Sequence, residues 1–244
     1  MNKVIFPIIT SSGFFSLIML YLAGVGFSGG SLELSQAFTL LRYAALLGIT
    51  STALVIFYLL WQRPAGIQVF ILFFSALAGM TAFYMPYRQQ QIAQTVPPIH
   101  DITTSIENPP AFVAIAPIRA SAPNPAEYLG GETSELQRQF YPDIMSRVYI
   151  LSPDEVFAAV TEVAREMAWE IVDADRVEGR LEATDTTKWF RFKDDVVVRM
   201  VAGNGNSTMV DVRSKSRVGR SDIGVNANRI RDFFSRLNSK LGMQ

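Results

Sequence analysis

Cysteine is absent, histidine occurs once, and charge is scarce: 18% of the 244 residues are Asp, Glu, Lys or Arg, against about a quarter in an ordinary soluble domain. Without cysteine there is no disulfide scaffold, no lipid-carrying cysteine and no thiol nucleophile. With His100 alone, a multi-histidine metal centre is excluded. The missing charge is missing from one place. Residues 1–87 contain only Lys3, Glu33, Arg42 and Arg63, while 19 basic and 21 acidic side chains lie in 88–244. The chain therefore joins a nearly uncharged part to a water-soluble part. A 49% hydrophobic content also excludes a disordered chain.

Three uncharged runs fill the first part: Ile5–Phe27, Tyr43–Trp61 and Gly66–Met85. Each approaches the roughly 20 apolar residues that a helix needs to cross a hydrocarbon core about 30 Å thick. The spacing predicts three transmembrane helices, at about 5–27, 43–61 and 66–85, within a membrane region 1–87. Arg42 sits at the edge of the second span, where it can snorkel to the headgroups. Small residues (Gly13, Gly24, Gly26, Gly48, Ser51, Ala76, Gly79) suit close helix packing. No Asp, Glu or His lies mid-span, which argues against an ion or proton path and for an anchor. The positive-inside count is a tie. Lys3 at the start and Glu33 in the first loop favour a cytoplasmic N-terminus, an inner-membrane location and a periplasmic C-terminal domain.

Residues 86–135 hold eight of the twelve prolines. Proline fixes φ and removes a backbone donor, so 88–140 is expected to be an extended connector. Its apolar residues, among them Ile99, Ile102, Ile106 and Phe112, exceed what a free spacer needs, so His100–Phe112 should pack along the folded domain. His100 beside Asp101 reads as a structural or exposed residue rather than a ligand.

Residues 141–244 read as a soluble α+β domain. Arg147–Leu151 is a short strand. Ser152, Pro153 and Glu155 form a helix start with a capping box, followed by Val156, Val160, Val163 and Met167 at helical spacing. Strands follow at Trp169–Ala174, Arg180–Thr187, Val196–Ala202 and Met209–Ser214, with Gly203–Asn206 as a hairpin turn. A last helix covers Val225–Leu241. The order β-α-β-β-β-β-α implies an antiparallel sheet with two helices on one face.

The wording of this part resembles a known family. His100–Thr104 and Asn108–Phe112 look like its opening block, and Tyr141–Ile144 like its second. Trp169–Val172, Arg180–Thr184 and Trp189–Asp195 follow in the family's order. Asp211–Gly219, Ser221–Asn226, Arg229 and Ile230 complete the likeness. The family is the bacterial and plastid domain-of-unknown-function family 1499, and the resemblance covers about residues 98–241. It implies a cell-envelope location and brings no known reaction. The family often carries an acidic residue after its threonine pair. Ser105 stands there in this chain, which weakens any acid-based role for that corner.

Three groups of residues could carry chemistry. Ser216, Arg217, Gly219, Arg220 and Ser221 offer donors and close backbone approach before a helix N-terminus, a pattern suited to a phosphate, carboxylate or lipid headgroup. The alternative is local: Asp222 or Ser221 caps the helix, and the arginines pair with Asp194, Asp195 or Asp211. Glu182, Asp194, Asp195, Asp211 and Asp222 could converge as a cation site or an acid–base pair, or serve as salt-bridged strand faces. Trp169, Trp189, Phe190 and Phe192 are core and sheet-edge aromatics, or, with Arg191 and Lys193, a face that meets the membrane. No catalytic residue, resident metal or cofactor is expected. The bilayer is the expected partner, with an anionic headgroup or another envelope protein as further candidates, and nucleic acid is not expected. The reading is a membrane-anchored binding or scaffolding module more than an enzyme. A carboxylate- or metal-dependent hydrolase at the membrane surface and an accessory subunit of a membrane complex stand as alternatives.

Overall fold

The computed structural model describes residues 2–243, with side chains from Val4 onward, so the side chain of Lys3 lies outside the described residues. The chain forms two compact units. One comprises the N-terminal residues to Gln94 together with Lys188–Arg191; the other comprises Thr95–Thr187 and the residues from Phe192 on.

The first unit contains α1 (Asn2–Ser28), α2 (Leu34–Gln62) and α3 (Ile67–Thr95). All three helices are long and apolar enough to cross a membrane, which marks the protein as membrane-anchored. Lipid supplies no hydrophobic force between helices, so backbone approach and hydroxyl bonds must hold them. Gly48 of α2 meets Gly79 of α3 so closely that a Cβ at Gly48 would lie 2.3 Å from the Gly79 carbonyl oxygen. Ser12 Oγ donates to Ser51 Oγ (2.9 Å), and Ser75 Oγ donates to the Thr10 carbonyl (2.9 Å). Thr52 Oγ1 donates to the Ala76 carbonyl (3.2 Å). The helix α3 outruns its expected span by ten residues, because Tyr87–Thr95 is polar but compatible with a helix. Hydropathy marks where the bilayer ends, not where the helix does.

The second unit is a six-stranded antiparallel sheet of β1 (Asp101–Thr103), β2 (Arg147–Tyr149), β3 (Glu170–Asp175), β4 (Arg180–Thr186), β5 (Lys193–Ala202) and β6 (Thr208–Ser216). The order is β1-β6-β5-β4-β3, and β2 also pairs with β6, beyond the end of β1. The expected succession of strand, helix, four strands and helix is present, with α6 (Pro153–Glu166) and α7 (Val225–Lys240) as its helices. Ser152 Oγ accepts from the Glu155 amide and the Glu155 carboxylate accepts from the Ser152 amide, the capping box written in the sequence.

Strand pleating sends alternate residues to opposite faces. Leu181, Ala183, Val196, Val198, Met200, Val210 and Val212 join Val156, Val160 and Val163 of α6 and Ile230, Phe233, Phe234 and Leu237 of α7 in the main core. Trp169 stacks on Phe233 there, with ring centroids 5.6 Å apart.

The opposite face is also covered. Residues 104–131, which include the short helix α4 (Ile115–Ile118), lie across it as a strap, and α5 (Glu132–Phe140) follows. Phe112 and Ile115 pack on Val197 of β5, with Val172 and Ala126 alongside. The stretch 88–140, expected as a connector, therefore divides: 88–95 continue α3, and 101–140 are built into the folded unit. Its prolines prevent long helices but not packing.

Candidate functional site

The strap-covered face of the sheet concentrates ionic chemistry. Alternation places Glu182 and Thr184 of β4, Asp195 and Arg199 of β5, Asp211, Arg213 and Lys215 of β6 and Asp101 of β1 on it. A charge removed from water needs a partner and saturated hydrogen bonds. Each of these charged side chains has a partner, and of the groups that reach in beside them the buried Nε atoms of Arg119 and Arg180 are left without a hydrogen bond among the described residues.

Asp195, fully buried, receives Arg119 Nη1 (2.9 Å) and Arg217 Nε (2.8 Å) on Oδ2, and Arg217 Nη2 (2.7 Å) and Thr184 Oγ1 (2.7 Å) on Oδ1. Arg119 comes from the strap. It also donates to the carbonyls of Asn124 (3.0 Å) and Ser216 (3.1 Å), which ties the strap to the end of β6. Its side chain has no solvent exposure, and burial pulls its pKa below the ordinary arginine value. Asp101 is gripped by Arg213 through Nε and Nη2, both at 2.8 Å, and by Lys215 Nζ at 3.0 Å. Burial lowers the Lys215 pKa, and Asp101 opposes that shift. Phe112 lies between the guanidinium groups of Arg119 and Arg213, at 5.5 and 5.0 Å from its centroid. Glu182 accepts from three successive strap amides: Val113 (2.8 Å) and Ala114 (3.2 Å) on Oε1, and Ile115 (2.8 Å) on Oε2. Arg180 completes its shell at 3.0 Å. Asp211 pairs with Arg199 and accepts from Thr104 and Ser146.

The remaining two candidate carboxylates lie elsewhere. Asp194 points to the helix side and binds Arg229 Nη2 (2.7 Å), which also holds Asp185. Arg229 Nη1 and Ser214 Oγ both donate to Asn226 Oδ1. Asp222 accepts from the Gly224 amide (2.8 Å) and the Asn226 amide (2.7 Å), so its own carboxylate occupies two of the amides at the start of α7. Burial raises the Asp222 pKa, against the lowering effect of those two bonds. The five carboxylates thus divide among the strap face, the helix face and a helix cap. Among the described residues no three His, Cys, Asp or Glu side chains are grouped to hold a metal ion.

The loop Ser216–Ser221 is held in the same way. Ser216 Oγ accepts from Asn226 Nδ2 (3.0 Å), Arg217 is on Asp195, and the Gly219 carbonyl accepts from Asn124 Nδ2 (2.9 Å). Ser221 Oγ accepts from the Ile223 amide (3.1 Å). Arg220 is exposed, and its carbonyl lies 3.4 Å from His100 Nδ1. Burial lowers the His100 pKa. Of the aromatic candidates, Trp169 is core, Phe192 donates its amide to Thr187 Oγ1 (2.8 Å), and Trp189 and Phe190 belong to the first unit.

Residue-by-residue reading missed Arg119, Asn124 and Asp101. Each stands in a proline-rich stretch with no periodicity, and its partners are 76 to 112 positions away along the chain. The only available signal was an arginine amid apolar residues in a supposed linker. A search of curated proteins returns no match to this chain. The family model described as protein of unknown function (DUF1499) matches residues 101–237, which begins at β1, runs through the strap and ends within α7. That match spans more than half of the chain, and the protein belongs to this family.

Proposed function

We propose that the protein is a membrane-anchored module of the cell envelope that binds or scaffolds without turning over a substrate. The observation that carries this reading is the state of its ionisable groups. Glu182, Asp194, Asp195 and Asp211 are each held by an arginine, and Asp222 by two backbone amides. A general base or a metal ligand needs a free lone pair facing substrate or solvent. These carboxylates hold the fold together instead. The reading places the helices in the inner membrane with the N-terminus in the cytoplasm and the sheet unit in the periplasm, supported by Lys3 just before the first apolar run.

The test uses the full chain reconstituted in vesicles. Assayed against chromogenic carboxylic and phosphoric esters with Mg²⁺ or Ca²⁺, it should show no turnover above protein-free vesicles. Turnover that disappears in a folded Asp195→Asn variant would overturn the reading. Sidedness is read separately: a phosphatase reporter fused after Gln244 should be active, since that enzyme folds only outside the cytoplasm.

A further inference from the structure

One end of the helical unit combines exposed cations, an aromatic pair and a shallow depression. Leu20 of α1, Ala44 of α2 and Ala82 of α3 form a buried layer against which Trp189 packs. The helices alternate in direction, so Arg42, before Ala44 on α2, and Arg88, after Ala82 on α3, both lie on the outer side of this layer. Lys188 and Arg191 flank Trp189 itself. All four cations are exposed, and none makes an ion pair among the described residues. Glu33 is the single acidic residue of the helices and their turns.

The aromatics are fixed within the same unit. Trp189 Nε1 donates to the Tyr21 carbonyl at 3.4 Å. The indole lies so close to Gly24 that a Cβ there would come within 2.1 Å of Nε1, so only glycine fits. Phe190 lies 5.8 Å from Phe27 and 6.2 Å from Phe38, the residues on either side of the α1–α2 turn. An indole with an apolar body and a polar edge is the side chain that settles at the boundary between hydrocarbon and headgroups. At the same end of the unit, a shallow, open depression of about 420 Å³ is lined by Leu32, Ser35, Gln36, Thr39, Leu40 and Tyr43. Arg42 is less than one turn from Thr39 on the same helix. The depression offers apolar surface for acyl chain and hydroxyls for a glycerol ester.

We infer that Arg42, Arg88, Lys188 and Arg191 form a collar around Trp189 that selects anionic phospholipid headgroups from the bilayer. This deepens the proposed function and rests on its membrane placement. It moves the anionic-lipid affinity away from the Ser216–Ser221 loop, where Arg217 is committed to Asp195, to cations that face outward. Phosphatidylglycerol supplies the matching chemistry: one negative phosphodiester on two acyl chains.

The full chain is reconstituted in phosphatidylcholine vesicles containing trace spin-labelled lipid. The motionally restricted fraction is compared for labelled phosphatidylglycerol and labelled phosphatidylcholine. Co-flotation with pure phosphatidylcholine vesicles tests the membrane placement on its own. Given flotation, the wild-type chain should prefer phosphatidylglycerol by roughly fivefold at low salt, and by less at 0.5 M NaCl. Lys188→Gln/Arg191→Gln lies in an exposed loop and should lower the preference. Adding Arg42→Gln/Arg88→Gln should abolish it. Equal restriction of the two labels by the wild type, or an unchanged preference in the fourfold variant, overturns the collar and leaves the anchor standing. Failure to float overturns both.

Discussion

Substituting Glu182 by glutamine removes one oxygen and one charge from the point where the strap meets the sheet. Both carboxylate oxygens are in use, Oε1 by the Val113 and Ala114 amides and Oε2 by the Ile115 amide. Glutamine retains one acceptor. If that oxygen faces Val113 and Ala114, the new NH₂ faces the Ile115 amide, which is buried. An orphaned buried donor costs about 1–3 kcal/mol, and exchanging charge-assisted bonds for neutral ones costs about another 1 kcal/mol. The expected loss is about 2–4 kcal/mol, concentrated where α4 begins. Hydrogen–deuterium exchange of the detergent-solubilised chain reads it locally. At a factor of ten per 1.4 kcal/mol, protection of the 113–115 amides should fall by about thirty- to several-hundred-fold, with a smaller change in β5. Glu178→Gln, at an exposed hairpin position, is the control and should stay within about 0.5 kcal/mol of the wild type. Protection of 113–115 within threefold of the wild type in Glu182→Gln would refute the claim that this carboxylate pins the strap.

Other consequences are open to measurement. Arg217→Ala leaves Asp195 with Arg119 and Thr184, so it should destabilise the sheet unit by about 1–3 kcal/mol, less than a buried charge stripped of all partners. Unchanged denaturation would assign Arg217 a role outside the fold. Gly48→Leu forces side-chain atoms onto the Gly79 carbonyl and should separate α2 from α3, seen as faster proteolysis of the 63–66 turn in detergent; wild-type proteolysis would count against that packing. The Asp222 carboxyl should titrate above its ordinary value of 3.8, because burial favours the neutral acid. Its folded pKa exceeds its unfolded one, so its contribution to stability is complete below 3.8 and is lost as pH rises through the folded value. A carbon-13 titration midpoint below 3.8 would reverse that sign.

Local signals in the sequence were decisive where the structure itself is local. Ser152, Pro153 and Glu155 start a helix because their side chains satisfy amides three residues away. The alternation of Val210 and Val212 with Asp211 and Arg213 sorts the two faces of β6 without any knowledge of its neighbours. Pairing of the loop arginines with Asp194, Asp195 or Asp211 was one of two readings open in the sequence, and the structure pairs Arg217 with Asp195. What lay beyond reach depends on distant contacts. Ile102 joins the core only because β6 offers an edge to β1, across more than a hundred residues. The prolines of the strap state what it cannot be, a long helix, and say nothing about the surface it covers. The carboxylate cluster was legible as a set of residues. Its division between two faces was also present in the strand periodicity, since Asp194 and Asp195 are consecutive and must point to opposite sides.

The choice of ions beneath the strap has a physical logic. An apolar strap on an apolar sheet face could be equally stable, because the desolvation of buried charges offsets much of their attraction. It would tolerate sliding, since leucine against valine is satisfied at many offsets. Arg213 with the Pro110 and Ala126 carbonyls, Arg119 with Asp195, and Glu182 with three consecutive amides are satisfied at one offset only. A segment rich in proline cannot use a backbone ladder to set its register, because proline lacks the donor. Side-chain ions do that work in its place. The same arrangement explains why the charges that look most like an active site are the least accessible ones in the sheet unit. Their partners lie within the chain, whereas the cations around Trp189 face outward.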